Sequence, residues 1–73
     1  METIYRYSKD TIKKQVWETC IIESENTIIL SEIHMRTDNC EIIKQIEKEI
    51  TKEYAENYKE KNKNYIIEIY QNK

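Results

Sequence analysis

The stretch Q-V-W-E-T-C-I-I-E-S-E-N-T-I-I-L-S-E-I-H-M-R, residues Gln15 to Arg36, decides how this chain folds. It is rich in β-branched and aromatic residues on either side of Ser24-Glu25-Asn26. That pattern predicts a hairpin of strands 15–23 and 27–36. Ser and Asn supply the turn, since there is no Gly in the chain to take a left-handed conformation. With Glu23 opposite Thr27, one face carries Trp17, Thr19, Ile21, Ile29, Ile33 and Met35. The other carries Val16, Cys20, Ile22, Ile28 and Leu30, interrupted by Glu18, Glu32 and His34. This register sets Glu18 against Glu32, which is mildly unfavourable. A one-residue slip regroups the two faces. Both groupings leave a hairpin that is apolar on both sides, so one helix cannot cover it.

Working outward, T-I-Y-R-Y-S over Thr3 to Ser8 predicts a strand, with Arg6 suited to an edge. Lys9 to Lys14 reads as a polar connector, with Ser8 or Asp10 able to cap a helical turn. Downstream, Asp38 with Glu41 three residues on fits a capping box. Ile42, Ile43, Ile46, Ile50, Tyr54 and Tyr58 then recur at helical spacing, predicting a helix over 38–61 that spans about 35 Å. Asn62 or Asn64 is the expected left-handed stop. Y-I-I-E-I-Y predicts a last strand over 65–70. The expected fold is α+β in a single domain, 1–73. It is a small antiparallel or mixed sheet in β-β-β-α-β order, covered on one face by a single long helix.

Composition narrows the function. Seventy-three residues make one small domain with a thin core. The chain holds no Gly, so neither a Gly-rich phosphate loop nor a dinucleotide fingerprint can form. The formal charge is −2, unevenly spread. Residues 15–58 hold ten acids against Arg36, Lys44, Lys48 and Lys52, while the segments on either side are mildly basic. An acidic middle disfavours phosphate backbones and favours a basic partner. Two cysteines do not make a disulfide scaffold. No leader pattern is seen, and no apolar run reaches the roughly 18 residues of a membrane span. A cytoplasmic protein is expected.

Candidate chemistry is sparse. His34 with Cys20 and Cys40 lacks the four ligands and the spacings of structural zinc. Cys40 at a helix start would have a lowered thiol pKa, yet no cleft or oxyanion device accompanies it. Glu18 beside Glu32 could act as an acid–base pair, but without a pocket it reads as a solvated patch. Tyr5, Tyr7, Tyr65 and Tyr70 with Arg6 and the flanking lysines could stack single-stranded bases.

No enzyme, cofactor or metal site is therefore expected. The expected function is a small non-enzymatic protein-binding protein. It would suit a phage or mobile-element inhibitor of the anti-CRISPR kind, blocking a nucleic-acid-handling host enzyme by occupying its surface. The contact residues are Glu18, Ile22, Glu23, Glu25, Ile28, Leu30, Glu32 and His34 on the hairpin, with Glu49, Glu53 and Glu56 on the helix. A nucleic-acid-binding module using the terminal tyrosines and a structural homodimer subunit are the alternatives.

Overall fold

The order of elements is β1 (Glu2–Asp10), β2 (Gln15–Glu23), β3 (Ile28–Arg36), β4 (Ile42–Glu49), α1 (Lys52–Lys61), a 3₁₀ turn (Lys63–Tyr65) and β5 (Ile66–Asn72). The computed structural model describes residues 1–10 and 14–72. Lys9 and Asp10 continue β1, and residues 11–13 of the expected polar connector, with any helical turn there, lie outside the described residues. The strands form one antiparallel sheet in the order β4-β3-β2-β1-β5. α1 packs on one face of it, so the α+β architecture with a helix covering one sheet face is present.

The hairpin forms with Glu23 opposite Ile28 rather than Thr27. Thr27 belongs to a four-residue loop, closed by the Ser24 N–H donating to the Thr27 carbonyl at 2.9 Å. This one-residue slip places Glu18 opposite Ile33 and Glu32 opposite Thr19, so the two carboxylates no longer meet. Side chains alternate across a strand, and the slip therefore exchanges the two faces of β3 while those of β2 stay as expected. Ile28, Leu30, Glu32 and His34 join Trp17, Thr19 and Ile21 on the helix side. Ile29, Ile33 and Met35 join Val16, Glu18, Cys20 and Ile22 on the other.

The helix expected over 38–61 is the larger correction. Its first half is β4, paired along β3 from Ile29 with Glu49 to Met35 with Ile42. Asp38 does not cap a helix: Arg36 holds its carboxylate through Nε and Nη2 at 3.1 and 2.9 Å. These hydrogen bonds keep the exposed Asp38 carboxyl below the ordinary aspartate pKa. The Glu41 N–H donates instead to Asn39 Oδ1 at 2.9 Å, and Cys40 takes a φ of 58°. The segment thus reverses direction as a turn. Pairing along β3 satisfies backbone groups that an edge β3 would leave open, and this outweighs the helix propensity of the Glu and Lys residues in β4.

α1 begins after Thr51, whose Oγ1 accepts from the Tyr54 N–H at 3.1 Å, as an N-cap does. It ends at Asn62, with φ −113° rather than left-handed. Both the backbone N–H and the side-chain Nδ2 of Asn62 donate to the Tyr58 carbonyl, at 3.0 and 2.9 Å. The core under α1 is small: Tyr7, Ile21, Leu30 and Ala55, with Tyr5, Ile28, Ile50 and Tyr58 packed around it.

Candidate functional site

The face of the sheet away from α1 has no helix or strand over it among the described residues. Strand pairing places Ile4 beside Ile22, Ile22 beside Ile29, Cys20 beside Ser31, Glu18 beside Ile33, and Val16 beside Met35 on this face. Val16 is buried; Ile4, Ile22, Ile29, Ile33 and Met35 are half-buried. They are shielded along the sheet plane but uncovered from above.

Charge is sorted by face. The strands set Glu2, Glu18, Glu47, Glu49 and Glu68 on the open face, and one cation, Arg6. Arg6 is already engaged, its Nη1 3.6 Å from Glu68 Oε1. The strand lysines Lys9, Lys44 and Lys48 fall on the helix face. Two of them sit over helix-side rings: Lys9 is 4.8 Å from the Tyr65 centroid and Lys48 is 5.3 Å from that of Tyr54. The alternation K-Q-I-E-K-E over Lys44 to Glu49 produces the sorting in β4, because successive residues point to opposite faces. Beside it, an open groove of about 240 Å³ is lined by Thr27, Ile29, Glu47, Lys48 and Glu49.

The expected contact residues are dispersed by these pairings. Glu18, Ile22 and Glu49 share the open face. Glu25 is exposed in the β2–β3 loop, and Glu53 and Glu56 are exposed on α1. Leu30 is in the core at 4% exposure, so it has no surface to offer, and Ile28 packs against that core. Glu23 is held by Lys59, whose Nζ donates to its Oε2 at 2.7 Å and lies 4.5 Å from the Tyr5 ring centroid. Burial alone would lower the Lys59 pKa. The bond and charge of Glu23, reinforced by Tyr5 and Glu56, raise it above the ordinary lysine value. Ile29, Ile33 and Met35, expected on the face with Trp17 and Ile21 that the helix would cover, lie instead on the open face, which Ile4 and Glu47 complete. Their signal was the two-residue alternation, masked by the register slip in β3 and by the helical reading of β4.

Glu32 belongs to a different site, a pocket of about 400 Å³ between the sheet and the end of α1, and His34 backs its Trp17 wall. His34 stacks on Trp17 with centroids 3.8 Å apart and planes at 16°, and its Nε2 is 2.8 Å from Gln15 Oε1. Tyr58 meets Tyr7 edge-on at 5.4 Å. Burial raises the pKa of Tyr58, opposed by its hydrogen bond with Thr19.

The remaining chemical candidates separate. Cys20 lies on the open face, His34 on the helix face and Cys40 in an exposed turn twelve residues before the start of α1, so the three do not come together as a metal site or a thiol–imidazole pair. Among the described residues, no group of three or more His, Cys, Asp or Glu is placed to hold a metal ion. Tyr5 and Tyr7 turn under α1 rather than forming a stacking platform. No described helix is long and apolar enough to cross a membrane. Compared with protein-family models, curated proteins and solved structures, the chain matches none.

Proposed function

We propose that this chain is a small non-enzymatic protein-binding protein that lays its open sheet face on a basic surface of its partner. The carrying observation is the composition of that face: five carboxylates and one engaged arginine around half-buried Ile4, Ile22, Ile29, Ile33 and Met35. An uncovered apolar patch rimmed by one sign of charge suits an interface. The apolar centre supplies affinity, and the rim supplies steering and orientation. Surfaces that hold nucleic acid are strongly basic. The partner class we assign is therefore a nucleic-acid-handling host enzyme, inhibited by occupation in the manner of an anti-CRISPR protein from a phage or mobile element. The cytoplasm is the matching compartment, where the free thiols of Cys20 and Cys40 stay reduced. The same carboxylates repel a phosphate backbone, which weighs against a nucleic-acid-binding module.

The test is charge reversal on one face at a time. Glu18→Lys with Glu47→Lys is expected to abolish capture and inhibition of a CRISPR effector enzyme, while Glu53→Lys with Glu56→Lys on α1 leaves both intact. Equal loss from the two pairs, or no inhibition by the parent chain across a panel of such effectors, would remove this reading.

One observation favours a second reading, a homodimer. β5 is an edge strand with Ile67 and Ile69 exposed at 56% and 58%, and its one charge, Glu68, is paired to Arg6. Edges of this kind template further strand pairing. Sedimentation of the parent chain and of Ile69→Lys separates the cases: a concentration-dependent dimer lost in the variant supports it, and a monomer throughout rejects it.

A further inference from the structure

We infer that the pocket beneath the end of α1 binds the guanidinium of an arginine side chain presented by a partner segment. The site lies on the face opposite the proposed docking surface and stands independently of it. Its lining includes the aromatic residues Tyr7, Trp17, Tyr58 and Tyr65, the acids Glu32 and Asp10, and Lys9. Glu32 is half-buried and takes part in no ion pair among the described residues, although its charge is felt by the neighbouring Tyr58 hydroxyl. A carboxylate set among aromatic rings, with no ion pair of its own among the described residues, favours a cation over a neutral or anionic ligand. The rings act in the same sense, since their negative faces attract cations.

Size and shape select within the cations. About 400 Å³ is room for a long side chain rather than a bare ion. A guanidinium is planar and weakly hydrated, so it can stack on a ring while forking to a carboxylate; an ammonium cannot do both as well. The walls are held in advance: Trp17 by its stack on His34, and Tyr58 by Tyr7 and Thr19. Lys9 already seats its ammonium 4.8 Å from the Tyr65 centroid at the same pocket. It is an internal cation that an incoming arginine displaces from the ring.

Trp17 is the only Trp in the chain, and its fluorescence reports the site directly. The full chain is titrated with a short arginine-containing peptide, with the same peptide carrying neutral citrulline, and with a nucleoside. A saturable change is expected for the arginine peptide, with at least about tenfold weaker binding for citrulline, the scale of one charge-assisted contact. Glu32→Gln is expected to weaken the arginine peptide about tenfold by the same reasoning. Lys9→Met, which removes the internal competitor, is expected to strengthen binding and keeps the test usable if Glu32→Gln fails to fold. Absence of a saturable change, equal response to citrulline, preference for the nucleoside, or weaker binding in Lys9→Met would each overturn the assignment.

Discussion

The two faces of one sheet differ in what covers them and in the charges they carry. Neighbouring residues such as Ile21 and Ile22 differ in nothing but which way the strand points them. Ile21 is 0% exposed under α1, while Ile22 lies half-buried on the open face. On the covered side, aromatic rings and strand lysines surround a core of a few residues. On the open side, aliphatic side chains lie within a rim of carboxylates. A single short helix covers one face and leaves the other open, so on the docking reading proposed above, stability and binding should respond to different substitutions.

The sharpest way to break that comparison is to shorten the two neighbours in turn. Ile21→Ala opens a cavity in a fully buried site and is expected to cost about 2–5 kcal/mol. Domains of this size hold only roughly 3–5 kcal/mol, so this variant is expected to be largely unfolded by urea titration or near-ultraviolet circular dichroism. Ile22→Ala removes a half-exposed side chain and is expected to cost about 1 kcal/mol while lowering partner capture. Equal destabilisation by the two would mean that the open face is covered in the free protein.

Much of the framework of strands could be read from residue order alone. The strand pattern of 15–36, the terminal strands and the presence of a helix near Tyr54 and Tyr58 all followed from periodicity. Two points were not legible, for separate physical reasons. Loop length between Glu23 and Ile28 decides the register, and three or four polar residues can close the same hairpin. The slip that resulted moved Leu30 from the expected contact surface into the core. The segment Ile42 to Glu49 satisfies two periods at once. Ile42, Ile46 and Ile50 are spaced for a helix, while Lys44, Ile46 and Lys48 alternate with Gln45, Glu47 and Glu49 as in a strand. Only the availability of β3 as a pairing partner chooses between them. Thr51 carried a usable signal, a hydroxyl cap with Glu53 in the first turn, but it lay inside the longer helical pattern.

The boundary between β4 and α1 gives the next largest effect. Thr51→Ala removes the acceptor for the Tyr54 N–H and is expected to cost about 1 kcal/mol. Asp38→Ala would be the costly substitution if a helix began at residue 38. Because Asp38 sits in an exposed turn held by Arg36, that variant is expected to melt like the parent. A destabilisation by Asp38→Ala matching that of Thr51→Ala would restore the long helix and remove β4.

The smallest effect concerns charge on the covered face. Lys59 bonded to Glu23 is mostly shielded from solvent, and replacing it with Met is expected to cost about 1 kcal/mol or less near neutral pH. Its pH dependence is more telling. Lys59, Tyr7 and Tyr58 all hold their protons more tightly in the fold than their ordinary values of 10.5, 10.0 and 10.0. Burial raises the two tyrosines. For Lys59, burial opposes the rise and the Glu23 contact outweighs it. A raised pKa in the folded state contributes stability that is complete below the unfolded value. That contribution disappears as pH climbs through the folded one, because the unfolded chain releases its protons first. The melting temperature is therefore expected to lose these contributions progressively above pH 10. The alkaline fall should be shallower in Tyr58→Phe and in Lys59→Met, and unchanged in Glu18→Gln on the open face. If the open-face variant flattens the alkaline limb as much as the other two, the raised groups are not confined to the face under α1.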